Sequence, residues 1–231
     1  MAHLEFEFCK TRLWATGAGC LIWPDQNLLV VSDLHLGKSD RLNRKGAGFL
    51  PPYETQDTLT RLDQEITTYA PKTVICLGDS FDDLEAAGSL LEAEKQWLAT
   101  LQAGRNWIWI EGNHDPGPVE FGGTHLAEVI CDPLRFRHIA TPQGGGEISG
   151  HYHPKAQLKG TARPAFLVDE TRIILPAFGT YTGGLYSHDA QLVALMKQDA
   201  KAILTGAVPL AIPMPRTHKN RTQKNRAMWR G

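Results

Sequence analysis

Short apolar segments that end directly in acidic, histidine or asparagine residues constrain the fold of this chain more than any other feature of its sequence. Such segments lie at residues 28–32, 73–77, 107–111 and 147–149. Continuous apolar runs of this length are typical of strands that are buried on both faces of a sheet. Because open α/β sheets bind their ligands beyond the carboxyl ends of the strands, we expect the polar residues that follow these runs to meet at one rim.

Helical periodicity between the apolar runs predicts a mixed α/β chain. Residues 53–69 and 86–101 carry leucine or isoleucine three or four positions apart, which predicts two amphipathic helices. The second half changes to shorter predicted strands, at residues 134–139, 147–149, 165–168 and 172–175. Strand–helix–strand alternation followed by strands predicts either one mixed sheet or two facing sheets.

The composition indicates one domain followed by a basic tail. With 231 residues, of which 42% are hydrophobic, the chain can form one sizeable core. Six of its 24 basic residues lie at positions 216–231, whereas none of its 25 acidic residues does. We therefore predict a domain over residues 1–212 and a disordered, basic tail over residues 213–231, which is either solvated or in contact with an anionic partner.

The sequence also predicts the compartment. The apolar runs are far shorter than the ~20 residues that a membrane-spanning helix needs, and charges interrupt the apolar positions near the N-terminus, where a secretory signal would lie. The four cysteines, Cys9, Cys20, Cys76 and Cys131, are scattered and form no C-x-x-C motif. Reduced cysteines of this kind predict a cytoplasmic protein with no membrane partner.

The residues after the predicted strands have the chemistry of metal ligands. In chain order they form the motifs Asp33-Leu-His35, Gly-Asp79-x-x-Asp82, Gly-Asn113-His114-Asp115 and Gly-His151-x-His153. Carboxylate, imidazole and amide groups without a thiolate suit Mn²⁺, Fe or Zn²⁺. Because alternate residues of an extended segment lie on the same side, each D-x-H or H-x-H pair can direct two ligands to one point.

The order of these motifs, with one more histidine before the last of them, resembles the calcineurin-like metallophosphoesterase superfamily. The resemblance spans Asp33 to His153, and five motifs in order are far more specific than any one of them. It implies a four-layer α/β/β/α sandwich and two divalent metal ions. We assign the lone histidine to His138. The alternative is His125, which follows two glycines in a predicted loop.

The superfamily's residue roles carry over to matching positions of this chain. The resemblance implies seven metal ligands: Asp33, His35 and His153 for the first ion, Asp79 as the bridge, and Asn113, His138 and His151 for the second ion. It also implies that a metal-bridging hydroxide is the nucleophile. His114, oriented by Asp82, would act as the general acid or stabilise the leaving oxygen. Asp82 as a helix cap and Asp115 as a structural residue are the plainer interpretations.

Two longer phrases resemble one branch of the superfamily, the bacterial ligase-associated DNA damage response endonucleases. They are DLHLGKSDRLNRKG, which begins at Asp33, and SGHYHPKAQLKG, which begins at Ser149. This resemblance implies a Mn²⁺-dependent phosphodiesterase that cuts DNA in bacterial repair, with DNA and other repair proteins as partners. Lys38, Arg41 and Arg44 would then line the path of the DNA backbone, or else form a solvated basic loop. The alternatives are the same chemistry on a small nucleotide or other phosphate ester, and a scaffold without catalysis.

Overall fold

The structure, a computed structural model, describes residues 2–39, 53–83, 88, 90–115, 117 and 121–217. Within these residues the first sheet has seven strands in chain order. They are β1 His3–Phe8, β2 Thr11–Thr16, β3 Leu21–Trp23, β4 Leu28–Val31, β5 Thr73–Cys76, β6 Asn106–Ile110 and β7 Thr124–Leu126. Strands β1 to β4 pair antiparallel, whereas β4 to β7 pair parallel, so the carboxyl ends of β4, β5 and β6 lie at one edge.

The second sheet faces the first and is mixed. Its strands are β8 Glu128–Cys131, β9 Leu134–Arg137, β10 Glu147–Ser149, β11 Lys155–Leu158, β12 Thr161–Val168, β13 Arg172–Ile174, β14 Lys201–Leu204 and β15 Leu210–Pro213. In the described part of the chain they are ordered β15-β14-β12-β13-β10-β9-β8, and β11 pairs with β12. Strand β10 is parallel to both β9 and β13, so β9 and β10 also end at a common edge.

Helices cover the outer faces of the two sheets. Helices α1 (Glu54–Tyr69) and α2 (Glu92–Gln102) pack on the first sheet, and α3 (Ala190–Leu195) packs on the second. A short 3₁₀ turn at Pro24–Gln26 precedes β4. No helix in the described ranges is long and apolar enough to cross a membrane.

An apolar layer lies between the sheets. Val30 and Ile75 of the first sheet meet Phe136 and Ile173 of the second, and all four side chains are buried. Burial of a side chain of this size contributes about 1.5–3 kcal/mol. Both faces of the first sheet are therefore covered, which explains why its central strands are continuously apolar. The predicted four-layer α/β/β/α sandwich is confirmed.

The strand predictions hold where the apolar runs are buried on both faces. Strands β4, β5 and β6 match the predicted runs to within one residue at each end, and α1 matches the predicted helix at 53–69. The second predicted helix, at 86–101, begins later than predicted: α2 starts at Glu92, and Leu91 before it has an extended backbone. The sequence did not predict β1 to β3, because β1 buries its residues only in part and in alternation.

The packed part of the chain continues past the predicted domain boundary at residue 212. Pro213 ends β15, an edge strand, where a proline need not break a ladder hydrogen bond. Met214 is buried in the core of the second sheet, and Arg216 donates hydrogen bonds to carbonyl oxygens of the segment after α3. The rest of the predicted tail, residues 218–231, lies outside the described residues.

Helix α1 carries a carboxyl group, that of Glu65, into the apolar core between the helix and the first sheet. Glu65 is fully buried and lies beside Cys20 and Thr16. Burial raises the pKa of Glu65 above its ordinary value of 4.5, although Thr16 and Cys20 lower it in part. Because the pKa is higher in the folded protein, the unfolded chain ionises first as the pH rises. The contribution of this carboxyl to stability is therefore lost as the pH rises from 4.5 through the folded pKa.

Glu65→Gln is expected to remove this pH dependence. The neutral amide has no ionisation cost, so the variant should be more stable than the native protein near pH 8. Near pH 4 the two proteins should differ little, since the native carboxyl is then protonated in both states. Urea unfolding at both pH values measures the difference. Glu7→Gln, on an exposed position of β1, is the matched control. A stability difference for Glu65→Gln that is equal at both pH values would contradict the assignment.

Candidate metal centre

The ligand-type residues all follow strands that end at the common rim of the two sheets. Asp33 and His35 follow β4, Asp79 follows β5, Asn113 follows β6, His138 follows β9, and His151 and His153 follow β10. Among the described residues, three groups each bring three ligand atoms within 4.8 Å of one another: Asp33–His35–His153, Asp79–His138–His151 and His35–Asp82–His114. The first two take ligands from both sheets and are called the first and second ligand group, whereas the third follows strands of the first sheet alone.

The first group is formed by Asp33, His35 and His153. His153 Nε2 lies 3.2 Å from Asp33 Oδ1 and 3.4 Å from His35 Nε2. The Nδ1 atom of His35 lies 2.8 Å from Asp82 Oδ1. Because an ionised carboxylate only accepts, His35 Nδ1 donates and its Nε2 keeps a lone pair directed at the group. Burial raises the pKa of Asp33, but His153 and the other neighbours lower it more, so the carboxyl is ionised.

The second group is formed by Asp79, His138 and His151. His138 Nδ1 donates to the Leu77 carbonyl oxygen at 2.7 Å, which leaves its Nε2 3.4 Å from Asp79 Oδ2 and 3.2 Å from His151 Nδ1. Burial raises the pKa of Asp79, but His138 and the His114 amide lower it far more, to well below its ordinary range. Burial and the charge of His138 lower the pKa of His151. The second group thus contains an ionised carboxylate and two converging imidazoles.

Backbone contacts join the two groups. The His151 amide donates to Asp33 Oδ2 at 3.0 Å, so a ligand of the second group supports a ligand of the first. Asn113 is exposed and lines a cavity of about 240 Å³ together with His138 and Ile139. This cavity opens beside the second group, which places Asn113 next to the residues that it is predicted to join.

The donor sets fit divalent cations. In each group an ionised carboxylate and two imidazoles direct their acceptor atoms at one another at 3.2–3.4 Å. Such acceptors repel one another unless a cation or a proton lies between them. Carboxylates and neutral imidazoles are the ligand forms that divalent metals bind, and hydrogen bonds from outside their own group hold four of them: Asp33, His35, Asp79 and His138. The absence of thiolates from both groups favours Mn²⁺, Fe or Zn²⁺ over softer ions.

The backbone at the centre is strained. Five ligand-type residues have a left-handed backbone with φ between 46° and 71°: Asp33, His35, Asp79, His151 and His153. Each such conformation costs a non-glycine residue about 1–3 kcal/mol and persists only where the surroundings fix it. The surroundings are tightly packed at Gly150, which precedes His151: a β-carbon at this position would overlap the Ser32 hydroxyl. Orienting these side chains therefore lowers the stability of the folded protein.

Asp115 holds the turn that carries Asp79. Its carboxylate accepts hydrogen bonds from the amides of Asp79 at 2.9 Å, Ser80 at 2.8 Å and Gly112 at 3.1 Å. Burial raises the pKa of Asp115 to about 6, although these amides and that of Phe81 lower it in part. The carboxylate ties the turn after β5 to the turn after β6, as its interpretation as a structural residue predicts.

His114 and Asp82 lie beside the first group and contact each other. The His114 amide donates to Asp79 Oδ1 at 2.8 Å, and its ring Nδ1 lies 2.8 Å from the Asp82 carbonyl oxygen. The Asp82 carboxylate lies 2.8 Å from His35 Nδ1, and an oxygen of it also lies within 4.8 Å of a ring nitrogen of His114. The contact between Asp82 and His35 is one that spacing along the chain does not reveal.

The remaining predicted residues are placed as follows. Lys38 is half-buried just after the first motif, whereas Arg41 and Arg44 lie outside the described residues. His125, the alternative to His138, lies on β7 and stacks on Trp109 with ring centroids 6.4 Å apart. It joins neither group of ligand atoms, whereas His138 lies within the second.

A sequence profile of the calcineurin-like phosphoesterases matches residues 27–206, a range that contains both groups of ligand atoms. The chain belongs to this family. As a member of it, the chain is a metal-dependent phosphoesterase, a hydrolase, and the two groups at the rim are its candidate metal sites.

Solved structures give two further comparisons. The solved structure described as nuclease MPE from Pseudomonas putida is 27% identical, and the match covers 90% of this chain and 100% of that one, with a TM-score of 0.72. Yfce, a phosphoesterase from E. coli, is 11% identical over 81% of this chain and 99% of that one, with a TM-score of 0.39. A search of curated protein sequences gave no significant match.

The segment that follows β13 supports the centre, and the motifs did not reveal it. Phe178 and Gly179 donate from their amides to the carbonyl oxygens of Ser32 and Asp33, at 2.8 and 3.0 Å. Arg61 of α1 in turn donates to the Phe178 carbonyl oxygen at 2.7 Å. The one sequence signal is the glycine-rich composition of residues 179–184, which carries no ligand-type side chain.

Proposed function

We propose that this phosphoesterase is a divalent-metal-dependent phosphodiesterase that cuts DNA as an endonuclease in bacterial repair. The observation that carries the proposal is the pair of adjoining ligand groups, joined by the His151 amide and Asp33. The similarity to a Pseudomonas putida nuclease over nearly the whole chain supports DNA as the substrate. A cytoplasmic location accords with the four cysteines, none of which is in a disulfide.

Seven residues would hold two metal ions. Asp33, His35 and His153 would bind one, Asn113, His138 and His151 the other, and Asp79 both. Bound metals of this kind polarise a phosphoryl oxygen and lower the pKa of water towards ~7. We expect Mn²⁺, with Fe or Zn²⁺ as the alternatives that the same donors accept.

His114 is the residue proposed to move a proton. Its Nδ1 donates to the Asp82 carbonyl oxygen, which fixes the ring and makes Nε2 the atom that exchanges a proton with the substrate. The His114 amide binds Asp79 Oδ1, so the ring is positioned by the same carboxylate that is proposed to hold both metals. From Nε2, the proton would pass to the leaving oxygen.

A paired assay tests the proposal. Hydrolysis of bis-p-nitrophenyl phosphate and of closed circular single-stranded DNA is measured with Mn²⁺, Zn²⁺, Mg²⁺ or EDTA. Metal-dependent opening of the circle, which has no ends, is the expected result and marks an endonuclease. Cleavage of the small diester alone would assign the centre to a small nucleotide or other phosphate ester. If neither substrate is cleaved, the proposal is contradicted, and the remaining alternatives are a phosphomonoesterase and a scaffold without catalysis.

Lys38→Ala is expected to lower kcat/KM for DNA, relative to that for the small diester, by about tenfold. The reason is the loss of one charged contact with the DNA backbone, since Lys38 follows the Asp33–His35 motif directly. Lys72→Ala is the matched control, because Lys72 is exposed at the opposite end of β5. Equal losses on both substrates would show that Lys38 does not contact DNA.

A further inference from the structure

The segment between β13 and α3, residues 175–189, runs along the first ligand group and is called the rim loop here. It is bonded to the Asp33 side through the amides of Phe178 and Gly179. It then passes so close to His153 that a β-carbon at Gly184 would overlap the His153 carbonyl oxygen. Beyond that point the Lys155 amide donates to the Leu185 carbonyl oxygen at 2.8 Å. Residues 180–186 therefore lie at the edge of the centre.

Two tyrosines of the rim loop are exposed to solvent. Tyr181 is 48% exposed and Tyr186 is 43% exposed, although both lie within a few residues of contacts to metal-ligand segments. The ring of Tyr186 stacks on that of His188, with centroids 5.2 Å apart and planes 16° from parallel. The stacked rings form an aromatic surface that does not pack in the core.

Tyr181 is held in a strained backbone conformation. Its φ of 59° lies in the left-handed region, which glycine or asparagine adopts more easily than a bulky residue. The turn is fixed by a hydrogen bond from Thr182 Oγ1 to the Gly179 carbonyl oxygen at 3.0 Å. A half-exposed aromatic ring gains little from packing, so burial does not explain a tyrosine at this position.

A cation accompanies the aromatic rings. Lys155 lies two residues after His153 and forms a parallel β-bridge with Tyr186. Its amide and carbonyl groups bind Leu185 and Ser187, one on each side of Tyr186. Exposed aromatic rings beside a basic residue are the combination with which proteins bind single-stranded nucleic acid. The rings stack on bases and the cations bind the backbone.

We propose that Tyr181 and Tyr186 stack on unpaired bases of a single-stranded nucleic acid whose backbone crosses the metal centre. The inference rests on the proposed function and specifies its substrate, because the bases of a duplex stack on one another and do not offer their faces to a protein side chain. The rim loop thus forms a base-binding subsite that extends from the His153 side of the centre.

Steady-state cleavage of a single-stranded oligonucleotide by Tyr181→Asn, Tyr186→Ala and Tyr186→Phe tests the subsite. For each of the first two variants, kcat/KM for DNA relative to that for bis-p-nitrophenyl phosphate should fall about 5- to 150-fold, mainly through KM. Tyr186→Phe keeps the ring and should stay near the native ratio. Tyr181→Asn should also unfold at the same or a higher temperature than the native protein, because asparagine relieves the strain.

Val208→Ala is the matched control, since Val208 is 70% exposed in the turn between β14 and β15. Native ratios in Tyr181→Asn and Tyr186→Ala, with DNA still cleaved by the native protein, would overturn the subsite and leave the proposed function standing. An equal loss in Tyr186→Phe and Tyr186→Ala would also overturn it, because the hydroxyl rather than the ring would then bind. If the native protein cleaves the small diester but no DNA, the proposed function and the subsite fail together.

Discussion

Asp79→Asn is expected to lower hydrolysis of DNA and of small diesters by about 10³-fold or more. Asp79 is proposed to bind both metals, and loss of metal removes several kcal/mol of transition-state stabilisation. Its carboxylate also accepts the His114 amide and faces His138 Nε2, so the substitution affects the metals and the proposed acid at once. Metal analysis of the purified variant should find well under two ions per chain.

The control for Asp79→Asn is the same substitution at Asp25. Asp25 lies in the 3₁₀ turn, and its ion pair with Arg12 is more than half exposed, so Asp25→Asn should keep native activity and metal content. Circular dichroism of both variants separates loss of metal from loss of fold. Full metal occupancy in folded Asp79→Asn would show that Asp79 does not bridge the ions.

His114→Ala has the second largest expected effect. Diester turnover should fall by about 10²–10⁴-fold while the metal content stays native, because His114 is proposed to transfer a proton and not to bind metal. The amide that binds Asp79 belongs to the backbone and is retained in the variant, so Asp79 keeps this contact. Turnover and metal content, measured on the same preparation, separate the two roles.

Comparing substrates with good and poor leaving groups makes the test of His114 more specific. A diester with a good leaving group, such as p-nitrophenolate, needs less help from an acid, so His114→Ala should lose more activity on DNA than on bis-p-nitrophenyl phosphate. His125→Ala is the matched control, because His125 lies on β7 outside both ligand groups. Loss of metal from His114→Ala would instead identify His114 as a ligand.

The sequence predicts the parts of this fold that repeat a simple physical pattern. Strands β4, β5 and β6 are buried on both faces, so their runs are continuously apolar and their ends can be read directly. Strand β1 is half-exposed and mixes charged with apolar residues, which weakens the same signal. The sequence predicts a tail from Pro213 onward, yet a proline is tolerated at the end of an edge strand.

For the candidate site, too, the sequence predicts some features, the positions of the ligand-type residues, and not others, the contacts between their side chains. Six of the seven ligand-type residues follow predicted strand ends, which are visible in the sequence, whereas His138 lies within a predicted strand and is assigned through the resemblance to the family. The hydrogen bond between the Asp82 carboxylate and His35 joins residues 47 positions apart, and its direction depends on turns with left-handed backbone at non-glycine residues. Such turns violate the local preferences on which sequence reasoning relies, so the hydrogen-bond partners of the side chains that they orient could not be predicted.

Because each ligand group takes residues from both sheets, every ion, once bound, is a non-covalent cross-link between the two halves of the sandwich. His35 and His153 are 118 positions apart in the chain, and so are Asp33 and His151. Closing loops of this length restricts the unfolded chain, as a disulfide does. Metal occupancy therefore adds to the free energy of unfolding as the metal concentration rises above its dissociation constant. The ions that serve hydrolysis also hold together the two sheets that carry their ligands.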